Sequence, residues 1–325
     1  MSTAAPFPKE SDAKGAFVRQ QSAFRDRVTA GGSSGFPAEA GRYHLYVSLA
    51  CPWAHRTIIV RRLKGLEDAI GLSVVDPLRD ERGWRFGPDF PDPLGHGWDY
   101  LAEAYAATDP SFAGRVTVPT LWDTQTGRVV NNESADILVM LNDEFNAFAE
   151  HAELDLYPVE LRLEIDELNA WVYDEINNGV YKSGFASSQE AYEAAVHPLF
   201  AALERADERL ATRRYLFGEQ PTLADWRLFT TLVRFDAVYV GHFKCNLRRI
   251  VDFEHLSGYL RDLHQQPGVA ETVAFDHIKR HYYMTHGSIN PTGIVPAGPL
   301  LDLDAPHGRE GVGASPGASA PVTSP

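Results

Sequence analysis

The sequence predicts an α/β domain followed by an all-helical domain. Three observations support this: an alternating, strand-like run at residues 43–49 leads into a helix-like run, further strand and helix patterns follow before residue 150, and only helical patterns come after it. A length of 325 residues suits two domains. We expect an N-terminal extension over 1–40, an α/β domain over 41–149, a helical domain over 150–303 and a disordered tail over 304–325.

Composition narrows the classes of partner. The formal net charge of −14 and the lack of a long basic run argue against nucleic acid. With only two cysteines, Cys51 and Cys245, we expect a reducing compartment and no disulfide-stapled secreted fold. The sequence has neither a recognisable signal peptide nor an apolar stretch of about 18 residues. We therefore expect a cytoplasmic protein without a membrane partner.

The elements of the N-terminal half follow a definite order. In the extension, Phe17 and Phe24 are seven residues apart, which predicts a short helix that docks two aromatic rings on the body. The predicted order thereafter is strand 43–49, helix 52–64, strand 71–75, a long insertion 77–98, strands 118–122 and 128–131, and helix 134–144. This β-α-β, β-β-α order, with a cysteine after the first strand, predicts a thioredoxin-like domain.

Cys51 lies at the predicted junction between the first strand and the first helix. Free backbone N–H groups and the helix dipole are expected to lower its thiol pKa, and Pro52 suits the first helical position. Cys51 is therefore a candidate nucleophile. Because Ala54 stands three residues later, the motif carries a single thiol and needs an external thiol to release a captured group. Cys245 is a possible resolving partner, although a buried thiol is the favoured interpretation.

Two further motifs suggest a ligand site. Val118-Pro119 opens a strand, and in a thioredoxin-like outline a cis proline there exposes the Val118 backbone to a peptide-like ligand. Glu133 and Ser134 precede a helix, where N–H groups and a hydroxyl can hold a carboxylate while Glu133 accepts from an ammonium. A plain N-cap role for Ser134 explains that isolated motif equally well.

The second half shows only helical patterns. The predicted helices span 158–178, 189–211, 222–235, 252–264 and 267–275. His277 and His281 are one helical turn apart and His286 follows, which raises the question of a metal site. No carboxylate or cysteine stands at a recognised ligand spacing, so we expect no metal.

Several motifs together resemble one family, the glutathionyl-hydroquinone reductases or xi-class glutathione transferases. The resemblance covers about residues 15–299 and rests on residues 48–56 (SLACPWAHR), 131–134 (NNES), 177–186 (NNGVYKSGFA), 224–236 (ADWRLFTTLVRFD) and 288–296 (SINPTGIVP). It implies a thioredoxin-like domain that binds glutathione, an all-helical domain, and an aromatic substrate in the cleft between them. A homodimer is also expected.

The same resemblance implies roles for individual residues. Trp84 would pack on glutathione, Val118 with Pro119 would pair with its cysteinyl backbone, and Glu133 with Ser134 would hold its γ-glutamyl end. Tyr181 and one of Tyr282 and Tyr283 would donate hydrogen bonds to the quinol oxygens. Without the resemblance, tyrosines at a domain seam more commonly have structural roles.

The expected activity is the glutathione-dependent reduction of glutathionylated hydroquinones, chlorinated ones included, to hydroquinones. Cys51 would form a mixed disulfide with glutathione, and a second glutathione, the co-substrate, would release oxidised glutathione. Two alternatives stay open. One is an omega-like thioltransferase or dehydroascorbate reductase, and the other is a non-catalytic ligand-binding scaffold on the same fold.

Overall fold

The N-terminal half is built on a small mixed sheet. The structure, a computed structural model, describes residue 12 and residues 14–313. Its first elements are β1 (Tyr43–Val47), α1 (Pro52–Leu63), β2 (Ile70–Val74), α2 (Ala102–Thr108), β3 (Thr120–Asp123), β4 (Arg128–Asn131) and α3 (Ser134–Asp143). The strand order is β2-β1-β3-β4, with β2 parallel to β1 and the other neighbours antiparallel. The predicted thioredoxin-like order is confirmed.

The position of β1 in this sheet fixes where Cys51 lies. All five residues of β1 are buried, and the strand pairs on both sides. A parallel β1–β2 pair needs a crossover connection, which α1 provides. The loop between β1 and α1, which carries Cys51, therefore lies at the carboxyl end of the central strand.

The second half is helical, as the sequence predicted. Its α-helices are α4 (Arg162–Trp171), α5 (Gly179–Gly184), α6 (Gln189–Leu210), α7 (Leu223–Arg234), α8 (Leu256–His264) and α9 (Phe275–Thr285). One π-helical segment, Val172–Asn177, continues α4, and another, Phe235–Tyr239, continues α7. The prediction of a helix over 267–275 is wrong, because Gly268 has a φ of 79° and α9 begins only at Phe275.

The two halves meet along α1. Helix α1 packs against α3 of the N-terminal half and against α7 of the helical half. The fully buried Arg234 of α7 donates from Nε to the carbonyl of Ala50 at 2.9 Å and from Nη2 to that of Leu49 at 3.0 Å. A charged side chain from the helical half thus holds the backbone immediately before Cys51.

The N-terminal extension is an extended segment between residues 14 and 40. The predicted docking of two aromatics is found: Phe17 stacks on Tyr181 and Phe185, and Phe24 packs edge-on against Tyr105. The predicted helix is wrong, because Phe24 exchanges hydrogen bonds with Asn132 just after β4 instead of bonding within its own segment. Extended backbone needs such partners from elsewhere in the chain.

The prediction of a disordered tail is wrong for residues 304–313. Arg309 is buried, and its Nη2 donates to the carbonyls of Leu210 at 2.9 Å and Arg214 at 3.0 Å, next to the end of α6. A cation is favourable at the C-terminal end of a helix. Residues 314–325, the rest of the tail, lie outside the described residues.

Candidate active site

Cys51 occupies the N-cap position of α1 with an extended backbone (φ −77°, ψ 122°), and Pro52 is the first helical residue, as predicted. The thiol is half-buried, and its Sγ lies 3.5 Å from the carbonyl oxygen of Val118. The peptide bond between Val118 and Pro119 is cis, in agreement with the prediction. The sulfur therefore faces the backbone that precedes β3.

The predicted lowering of the Cys51 pKa is wrong. Burial raises the pKa of the thiol, and this effect outweighs the backbone N–H groups of Ala54 and Trp53 and the positive charges of Arg234 and Arg19, all of which lower it. The helix N-terminus contributes as expected. Sequence patterns do not show how many side chains from distant segments surround the sulfur and exclude water.

Glu133 and Ser134 lie at the N-terminus of α3, and their roles differ from the simple capping interpretation. Glu133, not Ser134, is the N-cap, and its Oε1 accepts from the Ala135 N–H at 3.1 Å. The other carboxylate oxygen, Oε2, accepts from the Ser22 hydroxyl at 2.9 Å. Ser134, the first helical residue, is buried, whereas Glu133 is partly exposed. The Glu133 carboxylate therefore lies at the N-terminus of α3, where an anion can also bind.

Trp84 faces this region from the insertion between β2 and α2. Its ring is buried and stacks on the ring of His281 from α9, with centroids 5.0 Å apart and planes at 21°. Nδ1 of His281 lies 2.7 Å from the carbonyl oxygen of Pro77, so this nitrogen carries the proton and donates. Burial lowers the pKa of His281 to about 3, which keeps the imidazole neutral.

Three tyrosines form a chain of hydroxyl groups, and two of them, Tyr181 and Tyr282, line the same cleft as Cys51. The hydroxyl oxygens of Tyr181 and Tyr282 are 2.6 Å apart, and that of the buried Tyr239 lies 3.1 Å from Tyr282. Burial raises the pKa of Tyr181 and Tyr282, so both hydroxyls stay protonated at neutral pH and can donate. Tyr283, the other candidate, points its hydroxyl towards the carbonyl of Ala237, 3.5 Å away.

One cleft of about 380 Å³ between the two halves brings most of these residues together. The predicted site residues that line it are Cys51, Trp84, Val118, Pro119, Glu133, Ser134, Tyr181 and Tyr282. Tyr283 is not among its lining residues. Cys245 is fully buried behind Val180, and burial raises its pKa to about 12, which does not suit a resolving thiol.

The extension supplies a wall of the cleft that sequence reasoning missed. Phe17, Arg19 and Ser22 line it, together with His281 and His286 of the helical half. No local sequence signal marks Arg19 or Ser22, because both reach the cleft through the docking of an extended segment. Within residues 14–313, no three His, Cys, Asp or Glu side chains come together as a metal site, and no helix is long and apolar enough to cross a membrane.

Comparison with protein families identifies both halves of the chain. Residues 50–144 match the family model "Glutathione S-transferase, N-terminal domain", and residues 189–262 match "Glutathione S-transferase, C-terminal domain". The first range contains Cys51 and the end of the cleft formed by α3. The second lies within the helical half, and the whole N-terminal extension, residues 1–40, precedes both ranges.

Individual proteins give a more specific match. The chain is 55% identical to glutathionyl-hydroquinone reductase YqjG of Escherichia coli over 91% of its length and 93% of that protein. It is 51% identical to glutathionyl-hydroquinone reductase PcpF of Sphingobium chlorophenolicum, covering 89% of this chain and 91% of PcpF.

Solved structures agree with this match. The glutathione-bound structure of YqjG superposes with a TM-score of 0.85 over 88% of this chain and 96% of that one. The glutathione S-transferase Xi of Phanerochaete chrysosporium, 50% identical, gives a TM-score of 0.87 over 91% and 97%. The chain therefore belongs to the family of glutathionyl-hydroquinone reductases, the xi class of the glutathione transferases.

Proposed function

We propose that this protein catalyses the glutathione-dependent reduction of glutathionyl-hydroquinones to hydroquinones, with Cys51 as the nucleophile. The observation that carries the proposal is the cleft itself, in which a single thiol faces two tyrosine hydroxyls that are linked to each other. A thiol alone would suit many glutathione-dependent reactions. The tyrosine pair adds hydrogen-bond donors where an oxygenated aromatic ring would lie.

Glutathione fits the side of the cleft formed by the thioredoxin-like domain. The N-terminus of α3 offers N–H groups to the γ-glutamyl carboxylate, and Glu133 accepts from the ammonium group. The Val118 backbone, beside Cys51 Sγ, can pair with the cysteinyl residue, and Trp84 provides an apolar surface. The E. coli relative YqjG has been solved with glutathione bound, which supports glutathione as the ligand.

In the first step, the Cys51 thiolate attacks the sulfur of the glutathionyl-hydroquinone. A sulfur–sulfur bond forms, the carbon–sulfur bond breaks, and the ring carbon keeps the electron pair and takes a proton. Carbon is a poor leaving group. A hydrogen bond from Tyr181 to a ring oxygen favours the keto tautomer, in which the departing carbon lies next to a carbonyl that delocalises its charge.

In the second step, the thiolate of a free glutathione attacks the mixed disulfide. Oxidised glutathione leaves, and Cys51 returns as a thiolate, so the two glutathione sulfurs supply the two electrons that the ring carbon received. An external thiol is needed because Ala54 replaces a second cysteine in the motif and Cys245 is buried away from the cleft. Ping-pong kinetics follow.

We also propose a setting for this activity. A free half-buried thiol and a free buried thiol suit the reducing cytoplasm, where reduced glutathione is abundant. A homodimer, the commonest symmetric assembly, is the proposed oligomeric state. The proposed domain division is 41–149 for the thioredoxin-like part and 150–303 for the helical part, and it is supported by β1 to α3 falling in the first range and α4 to α9 in the second.

Supplying the protein with three substrates, each together with glutathione, tests the proposal. A glutathionyl-hydroquinone should be converted to free hydroquinone, and Cys51→Ala should abolish the conversion. Dehydroascorbate and a mixed disulfide of glutathione with a small thiol represent the omega-like alternative. If the protein turned over dehydroascorbate or the mixed disulfide and formed no hydroquinone, the omega-like alternative would replace the proposal. If it turned over none of the three substrates, a binding scaffold would be favoured.

A further inference from the structure

Arg19 reaches the cleft from the N-terminal extension and is held there by aromatic rings. The central carbon of its guanidinium lies 4.6 Å from the ring centroid of Trp53, 4.9 Å from that of Tyr181 and 5.2 Å from that of Phe17. Its Nε donates to Oδ1 of Asn178 at 2.7 Å. Three rings and one amide thus fix the position of this cation.

No carboxylate among the described residues neutralises the charge of Arg19. Among the described residues, no Asp or Glu forms an ion pair with it, and its one hydrogen bond goes to a neutral amide. Arg25, six residues later in the same extension, contrasts with it, because its guanidinium pairs with both carboxylate oxygens of Asp136. The positive charge of Arg19 is therefore not offset by a carboxylate of these residues in the cleft that it lines together with Cys51.

Several groups act on the Cys51 sulfur from the surrounding elements. Arg234 from α7 and Arg19 from the extension are the cations that lower the thiol pKa, against the opposing effect of burial. Arg56 of α1 and Tyr181 of α5 also interact electrostatically with Cys51. Arg234 is fully buried and supports the backbone before Cys51, whereas Arg19 is only half-buried at the rim.

We propose that Arg19 is a positioning residue of the reaction, a fixed cation with no carboxylate partner among the described residues, by which the N-terminal extension stabilises the Cys51 thiolate. The sequence ranges that match the two transferase domains begin at residue 50, so this charge comes from outside them. The extension is then a functional part of the active site and does more than cover it. The inference rests on the proposed role of Cys51, but it concerns the state of the thiol before any substrate binds.

The test compares Arg19→Met, which keeps a long apolar side chain, with Arg19→Lys, which keeps the charge. Arg27→Met is the matched control, since Arg27 lies in the same extension, is exposed and does not line the cleft. Alkylation of Cys51 by iodoacetamide is followed between pH 6 and 10 without glutathione, with the modified peptide identified by mass. The reagent is neutral, so changes in its attraction to the protein do not distort the comparison.

Arg19→Met should lower the alkylation rate at pH 7 by about threefold and move the titration to higher pH, as expected for loss of a nearby opposite charge. Arg19→Lys and Arg27→Met should titrate like the unmodified protein. The inference would be overturned if the Cys51 thiol of Arg19→Met titrated at the same pH as that of the unmodified protein. It would also be overturned if Arg19→Lys shifted the titration as far as Arg19→Met does. Glutathione binding by calorimetry shows whether each variant is folded, and Arg19→Gln replaces Arg19→Met if that variant does not fold.

The outcome separates this inference from the proposed function. A shifted titration in a protein that releases no hydroquinone would leave the role of Arg19 intact and overturn the proposed reaction. Normal turnover by Arg19→Met, with no shift in the Cys51 titration, would overturn the role of Arg19 and leave the proposed reaction intact.

Discussion

The hydroxyl oxygens of Tyr181 and Tyr282 lie 2.6 Å apart, although 101 residues separate the two tyrosines in the chain. They come from α5 and α9, and the buried Tyr239 adds a third hydroxyl behind Tyr282. A chain of hydrogen bonds polarises its members, so each donor in the series strengthens the next. The structure thus presents a reinforced donor to the cleft that Cys51 also lines.

Removing either of the two cleft hydroxyls should slow the release of hydroquinone. We expect Tyr181→Phe and Tyr282→Phe each to lower kcat by about 100-fold, the range of a lost catalytic donor, with a smaller change in glutathione KM. Tyr283→Phe is the matched control, because its hydroxyl points to Ala237 outside the cleft. Steady-state kinetics with a glutathionyl-hydroquinone provide the measurement. Equal losses in all three variants would point to a structural role.

Ser22 should contribute to glutathione affinity through Glu133. Its hydroxyl donates to Oε2 of Glu133 and holds the carboxylate that is proposed to accept from the γ-glutamyl ammonium. We expect Ser22→Ala to weaken binding by about fivefold, the effect of one lost hydrogen bond. Ser33→Ala, an exposed position in the same extension, should bind normally. Isothermal calorimetry measures both, and unchanged affinity in Ser22→Ala would remove Ser22 from the site.

Buried neutral histidines predict a loss of stability in acid. Burial lowers the pKa of His44 and His242 to about 4 and that of His281 to about 3. In the unfolded chain these histidines bind protons near pH 6.5, so stability is fully present above that pH and falls as the pH drops towards 4. Each contributes a slope of about 1.4 kcal/mol per pH unit over that window.

The histidine prediction is checked by urea unfolding at pH 7, 6 and 5. His44→Asn, at a buried position that does not line the cleft, should reduce the pH dependence of the unfolding free energy. His151→Asn, at an exposed position, should leave it unchanged. A free energy of unfolding that stays constant between pH 7 and 5 would contradict the buried neutral state.

Local patterns were enough to predict the elements that hold the nucleophile. Alternation predicted β1, and the Cys51-Pro52 pair predicted the start of α1. The cis peptide at Val118-Pro119 was inferred from the thioredoxin-like order of elements, not from the pair alone. The two local predictions, β1 and the start of α1, depend on residues close together in the chain, where periodicity and proline geometry act directly. The roles of Trp84 and the tyrosines came only from the resemblance, because nothing local marks them.

The properties that sequence did not predict depend on contacts between distant segments. The thiol pKa is raised by burial that involves several parts of the chain, whereas the helix N-terminus alone suggested the opposite direction. Arg19 and Ser22 enter the cleft because the extension pairs with the end of β4 through Asn132. Choosing Tyr282 over Tyr283 required the direction of each side chain on α9, which neighbouring positions cannot provide.

The formation of a disulfide between Cys51 and glutathione is the most direct test of the proposed reaction. The protein is mixed with one equivalent of a glutathionyl-hydroquinone in the absence of free glutathione, and intact and peptide masses are recorded. We predict one equivalent of free hydroquinone and one glutathionyl group on Cys51, which added glutathione removes as oxidised glutathione. Hydroquinone release without an adduct on Cys51, or an adduct on Cys245 instead, would contradict the proposal.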